Sequence, residues 1–151
     1  MSRSMYYDDF EPGQVFTSQA RTMTETDLTM FSMLTGDWNP IHNDSEFAGQ
    51  SRFGQRLMHG AFGIGLGLGL MHTLGIFEDS AVALLDIEGW KFVEPVLIGD
   101  TLHLRLEIID KSLGKSGNTG RIGRKFELVN QHGRAAHVGR ADVLVRVRPV
   151  S

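Results

Sequence analysis

From residue 81 to residue 147 the chain reads almost continuously as strand, and this limits its fold more than any other feature. Residues 81–86 run on into residues 87–93, Pro95 breaks the pattern, and Gly99-Asp100 turns the chain back. Leu102, Leu104, Leu106 and Ile108 then alternate through residues 101–109, which puts all four on one face of a strand. Residues 121–129 form a further strand, Gln131-His132-Gly133 has the composition of a hairpin turn, and residues 136–147 carry Val143, Val145 and Val147 on one face. A meander of this kind has an apolar face that another layer must cover.

The first half of the chain supplies helices for that purpose. Phe10-Glu11-Pro12-Gly13 reads as a turn before a strand over residues 14–21. A helix is expected to begin near Thr24, where Thr24 and Asp27 have capping-box spacing. Leu28, Phe31 and Leu34 recur at three-residue steps, and Gly36 is placed to end the helix. Asp44 is suited to cap a short turn over residues 45–48. The class is therefore α+β, a single domain over residues 1–151 in which a curved antiparallel sheet wraps apolar helix surface.

Residues 59–77, HGAFGIGLGLGLMHTLGIF, leave two readings open. Ile64, Leu66, Leu68 and Leu70 alternate with glycine, which is a strand period. The run is nevertheless long, and each glycine inside a helix costs about 1 kcal/mol relative to alanine. A helix here requires close packing against a sheet to offset that cost.

Composition matters chiefly for what it excludes. There are no cysteines, so disulfides and thiolate metal sites are ruled out and a cytoplasmic location is expected. MSRSMYYDDFEPG has no apolar stretch of signal-peptide type, and residues 61–71 are too short to span a bilayer. The net charge of −3 is unevenly spread: −6 over residues 1–50, −3 over residues 51–100 and +6 over residues 101–151. Between Lys111 and Phe126 five basic residues occur without an acid, a pattern that suits either a solvated hairpin rim or an anion such as a phosphate. Aromatic residues do not interleave with these cations, so no nucleic-acid partner is expected. Leu113-Gly114-Lys115-Ser116 resembles part of a phosphate loop, but the earlier glycine would fall on Ile109.

The chemistry is concentrated in Thr35-Gly36-Asp37-Trp38-Asn39-Pro40-Ile41-His42. Asp37 and His42 are five residues apart. A helix would splay them by about 140°, and a strand would put them on opposite faces. An irregular segment can aim both at one point. Pro40 fixes its own backbone and pushes Asn39 into an extended conformation, while the Asn39 side chain can hold the turn. The spacing is compatible with a carboxylate and an imidazole converging on a water. It is equally compatible with a loop whose acid only satisfies backbone N–H groups.

Residues 31–42, FSMLTGDWNPIH, together with Glu46-Phe47-Ala48, resemble the signature of the MaoC-like (R)-specific enoyl-CoA hydratases and dehydratases of the hot-dog fold. Met58-His59-Gly60 resembles the start of that family's central helix. Trp90-Lys91-Phe92 through Pro95-Val96, with Gly99-Asp100-Thr101-Leu102, resembles its return strands. The resemblance implies one hot-dog domain in which a central helix from Gly60 to about Gly75 is wrapped by the sheet.

It also implies a reaction. Asp37 and His42 would be the catalytic pair that adds water to a trans-2-enoyl-CoA, giving an (R)-3-hydroxyacyl-CoA. Gly60 would donate its backbone N–H to the thioester oxyanion, and Asn39 would position the loop. Lys115, Arg121, Arg124 and Lys125 are candidate contacts to the coenzyme A phosphates. No metal or further cofactor is implied, since coenzyme A is part of the substrate, and a homodimer is expected. His59 is read as structural, His72 as a core or interface residue, and His103, His132 and His137 suggest no metal set. Phe53, Leu57 and Met58 are expected to set the depth of the acyl tunnel. A dehydratase acting on carrier-protein thioesters and a non-catalytic acyl-CoA-binding protein remain as alternatives. A hot-dog thioesterase with an acid on its central helix does not, because residues 60–77 contain none.

Overall fold

The computed structural model describes residues 4–149. A short 3-10 turn at Tyr7–Asp9 leads into β1 (Val15–Thr17) and β2 (Arg21–Thr22). Helices α1 (Glu25–Thr35), α2 (Pro40–Asn43), α3 (Ser45–Gly49) and α4 (Gly60–His72) follow. Four long strands complete the chain: β3 (Ala81–Phe92), β4 (Thr101–Leu113), β5 (Thr119–Val129) and β6 (Ala135–Arg146). The sheet order is β1-β4-β5-β6-β3, with β2 also on β4, and all its pairings are antiparallel. This is the α+β hot-dog arrangement expected from the sequence. None of the described helices is long and apolar enough to cross a membrane.

The boundaries differ where the backbone has its own requirements. The strand expected over residues 14–21 is interrupted: Ser18 N–H donates to the Leu104 carbonyl, and the Ser18 hydroxyl accepts from the Leu104 N–H. That exchange splits the segment into β1 and β2. Residues 81–92 form one strand, with register shifts against β6 instead of a break at residue 86.

The alternation on β4 closes the core as its pattern requires. Leu102, Leu104, Leu106 and Ile108 are all fully buried, each worth roughly 1.5–3 kcal/mol on removal from water. Ile122, Phe126 and Leu128 continue this layer on β5, and Val143 and Val145 on β6. Helix α4 crosses the layer and buries Gly63, Leu66, Gly67 and Leu70.

Beyond Gly60 at its start, the glycines of α4 fall into two pairs. A Cβ at Gly63 would lie 2.1 Å from Cε1 of His137, and one at Gly67 would press on Phe126 at 3.3 Å. Gly65 and Gly69 face open space. Close helix–sheet packing thus explains Gly63 and Gly67 and leaves Gly65 and Gly69 unexplained.

Helix α1 begins with the expected capping box, in which Thr24 Oγ1 accepts from the Asp27 N–H and Asp27 accepts from the Thr24 N–H. It ends at Gly36, in the left-handed region at φ 75°. Its buried stripe is Leu28 and Ser32, not the expected Leu28-Phe31-Leu34: Leu34 is 81% exposed, with Met30 and Met33 beside it on the open face. Three-residue steps drift around a helix, and Leu34 has passed beyond the contact by the third turn.

Candidate active site

The site is assembled where α1 stops. With Gly36 in the left-handed region, the chain leaves the helix axis and Asp37 projects beyond its end. Asp37 Oδ1 accepts the Asn39 N–H at 3.2 Å, and Asn39 Oδ1 accepts the Ile41 N–H at 3.1 Å. Asn39 is thereby the N-cap of α2, with Pro40 at the first helical position, where its missing N–H costs nothing. The sequence suggested an irregular segment here. A single helical turn instead carries His42 back toward Asp37.

His42 is oriented from behind. Its Nδ1 lies 2.8 Å from the carbonyl oxygen of Leu57. A carbonyl only accepts, so Nδ1 carries the proton and Nε2 presents a lone pair. That lone pair faces Asp37, with Nε2 and Oδ2 3.8 Å apart. The gap is too long for a direct hydrogen bond and suits a shared water. Asp37 is half exposed and His42 nearly buried, so the pair opens outward on the carboxylate side.

A third residue belongs to this cluster. His59, 2% exposed, lies face to face with His42, with ring centroids 3.8 Å apart and planes inclined by 24°. Its Nε2 is 3.1 Å from the Asp37 carbonyl oxygen, 3.2 Å from Ser32 Oγ and 4.0 Å from Asp37 Oδ2. The carbonyl again forces Nε2 to be the donor. His59 therefore ties the end of α1 to the start of α4 directly beneath the Asp37–His42 loop. The sequence reading took it as structural. Its position immediately before Gly60 was the available signal that it stands at the site.

Asp37, His42 and His59 bring three ligand atoms within 4.8 Å of one another. The geometry does not suit a metal ion. The His59 Nε2 is already engaged by the Asp37 carbonyl and Ser32, and two nearly parallel stacked rings do not aim their in-plane lone pairs at one centre at ligand distance.

Gly60 is the first residue of α4, so its N–H is among those that lack an intrahelical acceptor. It borders a cavity of about 300 Å³ that also takes in His42, Phe53, Leu57, Met58 and His137. Phe53, Leu57 and Met58, the residues expected to set the depth of an acyl tunnel, are among its lining residues. His137 was passed over, although the phase that turns Val143 and Val145 inward on β6 turns it inward too. Burial pushes its imidazole down to about 4, which leaves it neutral at ordinary pH.

The basic residues of the β4–β5 hairpin are placed differently from the phosphate role expected of them. Arg124 is 1% exposed, donates from Nε to the Ala141 carbonyl at 2.8 Å, and lies over the rings of Phe77 and Phe126. Burial lowers it to about 10 against the pull of Asp142, so it remains a cation, held against these rings and not presented at the surface. Arg121 is held by Asp142 and by Asp110 at 2.7 Å, and Lys125 by Glu127 at 3.0 Å. Arg121 is paired in register with Leu144, seven residues along β6 from His137, or about 23 Å. Lys115 is exposed on the turn beyond it.

Comparison with known proteins agrees with this arrangement. Residues 9–129 match the family model described as MaoC like domain. The protein named MaoC from Klebsiella aerogenes is 37% identical over 101 residues, covering 67% of this chain and 30% of that protein. The (R)-specific enoyl-CoA hydratase of Rhodospirillum rubrum is 33% identical over 97 residues, covering 64% of this chain and 65% of that one. This chain therefore spans less than two thirds of the length of either relative. Among solved structures, a Mycobacterium tuberculosis protein described as having a double hotdog fold superposes with a TM-score of 0.86 over 99% of this chain and 46% of that one. At 20% identity that likeness concerns the fold alone. With the family model matched from the first turn to the end of β5 and the Asp37–His42 loop folded as described, this chain belongs to the MaoC-like dehydratase family.

Proposed function

We propose that the protein is a hydro-lyase that adds water to a trans-2-enoyl-CoA to give the (R)-3-hydroxyacyl-CoA, and catalyses the reverse dehydration. The observation that carries this reading is the 3.8 Å separation of His42 Nε2 and Asp37 Oδ2, with Nδ1 committed to the Leu57 carbonyl. Water is a poor nucleophile at neutral pH, and an imidazole with a free lone pair is a suitable base for it.

His42 takes a proton from the water as its oxygen bonds to C3. The C2–C3 π electrons move through C2 onto the thioester oxygen, and the resulting enolate is met by the Gly60 N–H at the positive end of α4. Collapse of the enolate takes a proton at C2 from the Asp37–His42 pair, which restores the starting protonation. His59 and Asn39 hold the loop in place.

A homodimer is part of the reading. Strand β3 is a sheet edge that presents Val82, Leu84, Leu85 and Ile87, each more than 40% exposed, and an apolar edge of this kind calls for a second copy. Lys115 stays in the proposal as a phosphate contact, to coenzyme A held by that second copy. A cytosolic setting is consistent with the absence of cysteine.

The test is loss of the conjugated thioester absorbance of crotonyl-CoA, with the product checked for (R) configuration. Turnover that disappears in Asp37→Asn and His42→Ala supports the reading. Binding of acyl-CoA without any turnover across enoyl thioesters overturns it in favour of a binding protein.

A further inference from the structure

The cavity beside His42 contains polar side chains that the hydration chemistry leaves unused. Most of its wall is apolar, with Phe53, Leu57, Phe92 and Val96 among the lining residues, yet Arg52, Glu94 and His137 also border it. Glu94 is engaged by Arg134 at 2.9 Å and Asn130 at 3.3 Å. Arg52 lies over the ring of Phe53 at 4.7 Å and has no carboxylate partner among the described residues.

His137 is 3% exposed. The indole N–H of Trp90 points at its Nδ1 at 3.5 Å. An indole nitrogen only donates, so Nδ1 is the acceptor and the neutral ring carries its proton on Nε2. That N–H has no protein acceptor among the described residues.

The placement of the ring is built in. The glycine at 63 makes room for it, since a Cβ there would lie 2.1 Å from Cε1. Phe92 meets it edge to face, with centroids 4.9 Å apart and planes at 83°. Gly63 is one turn into α4 from Gly60, about 5 Å along the axis. A thioester with its carbonyl oxygen on the Gly60 amide would place the acyl atoms a few bonds beyond that carbonyl alongside His137. An alkyl chain would leave the Nε2–H buried and unpaired and would bring nothing to Arg52.

We propose that Arg52 and His137 form a sub-site for a carboxylate on the acyl chain, so that the substrate is an enoyl thioester ending in an acid and not in a plain alkyl group. Both border the same cavity, and a carboxylate bound in it takes a charge-assisted bond from the guanidinium and a second from the imidazole N–H. This inference rests on the hydratase reading above for the orientation of the thioester.

Glutaryl-CoA and pentanoyl-CoA have the same acyl carbon count, and being saturated they bind without reacting. Their affinities are measured by calorimetry for the wild-type protein, His137→Leu and Arg52→Gln, with turnover of glutaconyl-CoA and trans-2-pentenoyl-CoA followed in parallel. The wild-type protein is expected to favour the glutaryl thioester by about tenfold or more, and each variant to bring that ratio close to one. Arg52 is exposed, so its variant carries the test if the buried substitution fails to fold. Equal binding of the two ligands by the wild-type protein, or tighter binding of pentanoyl-CoA, overturns the proposal. So does an equal loss for both ligands in Arg52→Gln that vanishes with pantetheine thioesters, which would place Arg52 on the coenzyme phosphates. If the affinity ratio holds while neither enoyl thioester is hydrated, the sub-site stands and the hydratase reading fails.

Discussion

The imidazole of His42 lies flat on that of His59, with ring centroids 3.8 Å apart, while His59 donates from Nε2 to the backbone carbonyl of Asp37 at 3.1 Å. One buried residue therefore supports both members of the proposed catalytic pair, one through its ring face and the other through the main chain. His59→Phe keeps an aromatic face but removes the donor to Asp37 and Ser32. It is expected to lower kcat by about tenfold or more with little change in KM, and to cost about 1–3 kcal/mol of stability. Steady-state kinetics alongside denaturant unfolding separates the two effects.

Asp37→Asn preserves shape and hydrogen-bonding reach but removes the charge, and His42→Ala removes the proposed base. Each should reduce kcat by about a hundredfold or more. Asp37 is half exposed, so Asp37→Asn should unfold at nearly the wild-type temperature. A loss of activity matched by a loss of structure would contradict the assignment.

Gly63→Ala adds one methyl group where His137 already stands, 2.1 Å from Cε1. Overpacking of this kind costs about 1–3 kcal/mol, and relief requires the His137 ring to move into the cavity. Reduced thermal stability together with weakened binding of acyl thioesters is expected. Gly65→Ala, which meets open space, should be neutral or stabilising.

Arg124→Ala separates a core cation from a phosphate contact. The side chain is buried against Phe77, Phe126 and the Ala141 carbonyl, so truncation should cost about 2–5 kcal/mol through the cavity it leaves. KM for a coenzyme A thioester should stay within twofold of the wild-type value. A raised KM with unchanged stability would restore the phosphate role.

His137 is held near 4 by burial, against 6.5 for an unhindered imidazole. Between those values the unfolded chain takes up a proton that the folded chain refuses. Stability therefore falls as pH drops from 6.5 toward 4, and this loss levels off below 4. His137→Leu should remove that part of the acid slope when unfolding free energies are compared across the interval.

Most of the fold was legible because period, caps and turn residues are local. The alternation of Leu102, Leu104, Leu106 and Ile108 defines the inner face of β4 before any partner strand is known. Thr24 with Asp27 and then Gly36 mark both ends of α1, and Asn39-Pro40 marks the start of the turn that carries His42. Phase along a strand carried a signal that the phosphate expectation for Arg124 overlooked: Ile122, Phe126 and Leu128 point inward on β5, so Arg124 does as well, and Val143 and Val145 share the phase of His137.

What the sequence by itself determined is which residues share a face along the long strands and where α1 begins and ends. That much depends on backbone geometry repeating every two residues in a strand and every 3.6 in a helix. Only the tertiary structure decided which faces meet. It set His59 under His42, aimed the Leu57 carbonyl at Nδ1, closed Asp142 onto Arg121, and brought Arg52 and His137 to one cavity. Contacts of this kind join residues 15 to 85 positions apart. They arise from the packing of whole elements, for which no local pattern in the chain carries a signal.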